Sequence, residues 1–217
     1  MAKRARVVEP RQSTQPTRSE VARQQILAAA FRVVADHTIN GTRMPMIAKE
    51  AGLSQGILHY YYDTKDNLLL NLCNWLLDAL REYRGIATGQ IVSCADPDDP
   101  AKLCQTFLRY LRLLIEDERD MVRVFYDFWV QAAAETGAVR NSLRRQFRLY
   151  RNDVKQIFQK SVRIRGRDDI LAAMVVSLFE GAALQLILDE KGFDLNEYLT
   201  LTERLMTDLL ADTSRKR

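Results

Sequence analysis

Few residues in this chain break helices, and fewer still can do chemistry. Its 217 residues include 9 glycines and 5 prolines, too few to punctuate a protein of many short strands and turns. No stretch alternates apolar and polar residues in strand fashion, and no segment repeats. Histidine occurs twice, at His37 and His59, and cysteine three times, at Cys73, Cys94 and Cys104. None of them has metal-ligand or CxxC spacing, no cysteine–histidine pairing is apparent, and no glycine-rich phosphate loop is present. The chain therefore offers no catalytic residue, no metal site and no cofactor motif, which argues against an enzyme. Three cysteines without a framework read as reduced thiols in a cytoplasmic protein.

A secretory signal is also lacking, since the first residues are polar and basic without an apolar core. One stretch, ILAAMVVSLFEGAALQLIL at 170–188, approaches spanning length, but Glu180 and Gln185 interrupt it and no second candidate accompanies it. A helix apolar on most sides also suits the middle of a bundle or a dimer interface. The expectation is a protein with no membrane segment.

What is present favours helix throughout. The chain is 47% hydrophobic, with abundant Leu, Ala, Arg, Glu and Gln. A net charge of +4 permits nucleic-acid binding without demonstrating it. Residues 1–16 read as a flexible basic arm, with Lys3, Arg4, Arg6 and Arg11 against Glu9. "TRSE" at 17–20 fits a capping box, and the helix that follows should end near Asp36–Thr38. A short helix near 44–51 should stop at Gly52, a residue suited to a left-handed turn. Ser54 can cap a third helix over 55–60, and a long fourth helix should run from Thr64 to about Arg84. The segment 86–100 reads as a loop, with Pro100 opening the next helix. Further helices are expected at about 101–117, 119–135, 138–164, 168–190 and 195–211. The division is an arm (1–16), a helix-turn-helix domain (17–63), a connecting helix (64–85) and a helical ligand-binding and dimerisation domain (86–217).

The second and third helices form a helix-turn-helix. Ile47, Ala48, Ala51, Leu53 and Leu58 suit its small apolar core. The outward residues are then Ser54, Gln55, Gly56, Ile57, His59 and Tyr60. Gln55 can pair with adenine and Ile57 can touch a thymine methyl, while Gly56 lets backbone approach the groove. Tyr60 and His59 can donate to phosphates, and Lys65 adds charge there. Arg43 and Met44, at the start of the second helix, complete the candidate surface. Successive helical residues lie about 100° apart, so Tyr60, Tyr61 and Tyr62 cannot share a face. Tyr62 is expected inside, Tyr60 outside and Tyr61 between.

At "IAKEAGLSQGILHYYYDTKDNLL", 47–69, the chain resembles the signature of the tetracycline-repressor (TetR) family of bacterial transcription regulators, I-A-x-x-A-G-V/L-S-x-G-x-L/I-Y-x-Y/H-F-x-x-K-x-x-L. Ile47, Ala48, Ala51, Gly52, Leu53, Ser54, Gly56, Leu58, Lys65 and Leu68 match it. The likeness covers about 18–70. His59 stands where the family usually has a phosphate-contacting tyrosine, and Tyr62 replaces the usual phenylalanine. Arg43 occupies a position often held by a capping threonine, so Thr42 is the candidate cap. The glycine usual after the first helix is absent, with Thr38 near that place and Gly41 later. The resemblance implies an all-α homodimer that binds a double-stranded DNA operator and releases it on binding a small-molecule effector. The alternative is a helical small-molecule-binding module or enzyme that does not act on DNA.

In the larger domain, Arg144, Arg145, Arg148, Arg151 and Lys155 form one helix face, read as solvated rather than as a second DNA surface. The last two helices are the dimer candidates, through Ala172, Ala173, Val176, Phe179, Ala183, Leu184 and Ile187 on one and Leu199, Leu201, Leu205, Met206 and Leu209 on the other. In the family the dimer is made by these two helices. The tail "GAALQLILDEKGFDLNEYL" weakly resembles the branch that includes betaine-pathway repressors. Candidate effector-lining residues are Phe107, Tyr110, Leu111, Leu114, Phe125, Phe128 and Trp129. Glu180 joins them as a carboxylate that needs a partner on an apolar helix.

Overall fold

The computed structural model describes residues 17–94, 100–134, 137–161 and 168–215, and every regular element in them is helical. In chain order these are α1 (Arg18–Gly41), α2 (Met44–Glu50), α3 (Gln55–Tyr61), α4 (Lys65–Cys94), α5 (Pro100–Asp117), α6 (Arg119–Ala134), α7 (Ala138–Ser161), α8 (Asp168–Leu188) and α9 (Leu195–Arg215). The basic arm and the side chain of Cys94 lie outside the described residues.

Local chemistry explains most boundaries. At α1 the Thr17 hydroxyl accepts the Glu20 amide at 3.2 Å, and the Thr17 amide donates back to the Glu20 carboxylate at 2.7 Å. That return bond holds the Glu20 carboxyl below its usual range. The turn after α2 uses Gly52 at φ +68°, where a side chain would be strained. Ser54 accepts the Ile57 amide at 3.3 Å and starts α3. Two expectations fail. Thr42 does not cap α2: its hydroxyl donates to the Thr38 carbonyl at 2.7 Å, and Arg43 is the N-cap without a side-chain bond. The segment expected as a loop from residue 86 stays helical to Cys94. No proline occurs there before Pro97, and isolated glycines cost a helix only about 1 kcal/mol each.

Packing sorts the helices into two compact units. The first comprises the chain to Leu80 together with Asp120–Leu143, and the second comprises Arg81–Arg119 with Arg144–Arg217. The helix-turn-helix thus shares its unit with the first part of α4 and nearly all of α6. Its core is apolar and dense, with Ile26, Ile47, Leu58, Leu68 and Leu72 fully enclosed. Truncating such a side chain to alanine costs about 2–5 kcal/mol.

In the second unit, α9 packs on α5 and α8. The Tyr198 hydroxyl donates to the Leu178 carbonyl at 2.8 Å, and Arg119 pairs with Glu190 at 2.7 Å. Helix α8 is long and apolar enough to cross a membrane by composition. Its Leu171, Ala172, Val175, Val176, Phe179, Ala182 and Ala183 are buried inside the protein, the behaviour of a core helix. Arg144, Arg145 and Arg148 are exposed, and Lys155 pairs with Asp169 at 2.8 Å.

Candidate nucleic-acid interface

The surface of α3 carries no acidic residue between Gln55 and Tyr61. Ser54, Gln55, Gly56, Ile57, His59 and Tyr60 are all exposed, whereas Leu58 faces the core. Arg43 is exposed beside them and Met44 half-buried. The three tyrosines divide as their angular spacing demands: Tyr60 is 82% exposed, Tyr61 intermediate and Tyr62 1% exposed. Ile57, 46% exposed, and Tyr60 thus add apolar and aromatic surface to this otherwise polar face.

Gly56 adds a steric argument. A Cβ built there would meet only the Ser54 hydroxyl, at 3.9 Å. Neither the backbone nor the packing requires glycine, and alanine would favour the helix by about 1 kcal/mol. The fold itself therefore tolerates a side chain at this position.

His59 Nδ1 lies 3.3 Å from the Asp63 carbonyl, which orients the ring and leaves the other nitrogen outward. Lys65 is half-buried, and its ammonium donates to the Ile39 carbonyl at 2.8 Å. An ammonium has three donors, so this bond places the charge without exhausting it. Two basic residues outside the candidate surface brace it. Arg23 of α1 donates to the Tyr61 carbonyl at 3.3 Å and lies over the Tyr61 and Tyr62 rings at 5.6 and 5.5 Å. Burial pushes the Tyr62 hydroxyl up, opposed by Arg23. Arg32 pairs with Glu50 and ties α1 to α2. Both arginines lie on the polar face of α1, where sequence pattern cannot separate a brace from a solvated charge.

The end of α1 is held from far along the chain. Thr38 takes φ 61°, ψ 167° and breaks the helix, a conformation that costs a residue with a side chain about 1–3 kcal/mol. Thr38 lies near the place where the resemblance leads one to expect a glycine. Three residues one turn apart on α6 grip the chain on both sides of the break. Arg123 donates to the Ala35 carbonyl at 3.1 Å, the Asp127 carboxylate accepts the Ile39 amide, and Gln131 donates to the Asn40 side chain at 3.1 Å.

The candidate effector residues do not fall in one unit. Phe125, Phe128 and Trp129 belong to the first, Leu114 and Glu180 to the second. Phe125, Phe128, Leu114 and Glu180 are buried, and Glu180 has an interaction partner. The side chains of Phe107, Tyr110 and Leu111 lie outside the described residues. A cleft of about 340 Å³ does occur in the first unit, between the end of α1, the start of α4, the end of α6 and the start of α7, and Phe128 lines it. No cluster suited to a metal ion occurs among the described residues.

An exposed, acid-free helix presented by a glycine turn over a compact three-helix core is the architecture of a helix-turn-helix DNA-binding regulator. Comparison with known proteins makes the assignment particular. Residues 26–72 match the family described as "Bacterial regulatory proteins, tetR family", and residues 100–211 match "BetI-type transcriptional repressor, C-terminal". The chain belongs to the tetR family of bacterial transcriptional regulators. It is 30% identical to the HTH-type transcriptional regulator PksA of Bacillus subtilis (strain 168) over 78% of this chain and 80% of the relative. It is 24% identical to the HTH-type transcriptional regulator BetI of Cronobacter sakazakii (strain ATCC BAA-894) over 93% and 95% respectively. A TetR transcription regulator from Haloarcula marismortui ATCC 43049 superposes with a TM-score of 0.70 at 19% identity, covering 88% of this chain and 98% of that one. The protein is thus a DNA-binding transcriptional regulator rather than an enzyme.

Proposed function

We propose that the protein is a cytoplasmic homodimeric repressor that occupies a palindromic operator and leaves it when a small apolar or amphipathic molecule binds. The α3 surface carries the reading: Gln55 and Arg43 read base edges, Ile57 touches a thymine methyl, Met44 packs against the groove, and Ser54, His59, Tyr60 and Lys65 meet phosphates around the bare Gly56 backbone.

The dimer reading is supported by an apolar row that the monomer leaves uncovered. On α8, Ile170, Met174, Leu184 and Leu188 are exposed, with small Ser177 and Gly181 on the same line; on α9, Leu201, Leu205 and Leu209 are exposed. These residues correct part of the sequence expectation, because Ala172, Val176, Phe179, Ala183, Leu199 and Met206 face the protein's own core. Two helices from each subunit would bury the row in a four-helix interface.

A dimer can engage two half-sites only when its recognition helices stand about 34–36 Å apart. Selection from a random double-stranded DNA library should therefore recover a palindrome with that half-site spacing. Binding with no preferred sequence would count against the reading.

A further inference from the structure

We infer that His59 reaches a DNA phosphate only as the imidazolium, so that each recognition helix takes up a proton as it docks and operator affinity falls as pH rises through neutrality. The inference rests on the α3 docking proposed above and fixes the charge state in which one of its residues acts.

The ring's own hydrogen bond dictates this. His59 is exposed in the last turn of α3, and its Nδ1 lies 3.3 Å from the Asp63 carbonyl. A carbonyl oxygen only accepts, so Nδ1 carries a hydrogen and donates to it. In the neutral ring the outward Nε2 is then a bare lone pair. The phosphates of a DNA backbone present acceptor oxygens, so the neutral ring offers an acceptor to acceptors. Moving the hydrogen to Nε2 would suit the phosphate but turn a lone pair onto the Asp63 carbonyl. The imidazolium, with a hydrogen on each nitrogen, serves the carbonyl and a phosphate together, and its bond to the phosphate is charge-assisted.

The charges on the surrounding elements are engaged elsewhere or make no bond to the ring. Asp63 turns its carboxylate to the Thr64 amide at 2.9 Å. Arg23 of α1 is held at the Tyr61 carbonyl and over the Tyr61 and Tyr62 rings. On α2, Glu50 pairs with Arg32, while Arg43 and Lys49 are exposed. At the start of α4, Lys65 bonds the Ile39 carbonyl and Asp66 is exposed. Among the described residues the ring bonds only the Asp63 carbonyl, so Nε2 is open to a partner. Carboxylates, lysines and arginines keep their charge between about pH 6 and pH 8, where histidine changes its own. The tyrosine that the family resemblance leads one to expect here donates its hydroxyl throughout that range. Histidine at this position makes the contact conditional on a proton, and by linkage DNA binding and protonation favour each other.

The test measures affinity of the full-length protein for its selected operator duplex from about pH 6 to pH 8 at fixed salt, beside His59→Ala and His59→Tyr. Wild-type affinity should fall by about tenfold or more across that range, the worth of a charge-assisted hydrogen bond. His59→Ala should flatten the profile near the wild-type value at the alkaline end, and His59→Tyr should flatten it at higher affinity. Comparing the profiles removes the contribution of His37 and of every other titrating group. Calorimetry in two buffers of different ionisation enthalpy should show the wild type taking up more protons on binding than His59→Ala. In the free protein at the alkaline end, the His59 ring-nitrogen resonances should place the hydrogen on Nδ1. A hydrogen on Nε2, or parallel profiles with the wild type tighter throughout, would overturn the proton requirement and leave the docking intact. Equal affinities of wild type and His59→Ala at every pH would take His59 off the DNA surface and end the inference with that part of the docking. If the wild type selects no operator, the repressor reading fails, and the same profiles on random-sequence duplex decide the phosphate contact, which carries no sequence information.

Discussion

Asp127 accepts a hydrogen bond from the backbone amide of Ile39, 88 residues earlier in the chain. The bond satisfies an amide just past the point where Thr38 breaks α1. Replacing Asp127 with alanine should cost about 1–3 kcal/mol, the penalty of leaving a part-buried donor unpaired. Asp127→Asn, whose side-chain oxygen can still accept, should recover most of that loss. Urea denaturation of the three proteins measures both, and equal loss in the two variants would deny the bond its role.

Thr38→Gly should stabilise the protein by about 1 kcal/mol, because glycine adopts the observed dihedral angles without strain. The gain is smaller than the strain relieved, since glycine also frees the unfolded chain. A lower denaturation midpoint in the variant would show that Thr38 is not strained.

Gly56→Ala separates folding from DNA binding. The added methyl meets only the Ser54 hydroxyl within the protein, so stability should stay level or rise by up to about 1 kcal/mol. Operator affinity should fall, since the methyl intrudes where backbone meets the groove. Unchanged affinity in a gel-shift titration would remove α3's front edge from the interface. Gln55→Ala should instead cost about 1–3 kcal/mol at a cognate site and relax preference there.

Leu205, 67% exposed on α9, tests the dimer. A Leu205→Asp substitution places an unpaired charge in the proposed interface, where it should shift sedimentation from dimer to monomer and abolish operator binding without unfolding the chain. A dimer of undiminished stability would move the interface off this row.

Burial pushes the Cys73 thiol from the ordinary 9.0 up to about 12. Below pH 9 both folded and unfolded thiols keep their protons, so the shift has no effect on stability. As pH rises from 9 toward 12 the unfolded thiol ionises first, and stability is lost across that window. The loss attributable to Cys73 should reach about 1 kcal/mol by pH 10. Chemical denaturation of the wild type and Cys73→Ala across that range should show the steeper fall in the wild type. Cys73 should also resist thiol reagents until the protein unfolds.

The sequence by itself determined whatever depends on neighbours in the chain. The capping box at Thr17, the left-handed turn at Gly52, the cap at Ser54 and the sorting of Tyr60, Tyr61 and Tyr62 are local or periodic, and the structure agrees with each. The helix-turn-helix was legible because short-range rules and the family signature coincide over the same residues. Only the tertiary structure decided the rest. It assigned Arg23 and Arg32 to bracing, carried α4 through a segment that composition reads as loop, and turned part of the apolar surface of α8 and α9 inward. It also brought Arg123, Asp127 and Gln131 to the end of α1. Those outcomes depend on which surfaces meet, and a polar residue on a helix has the same local sequence whether it faces water or a distant backbone amide.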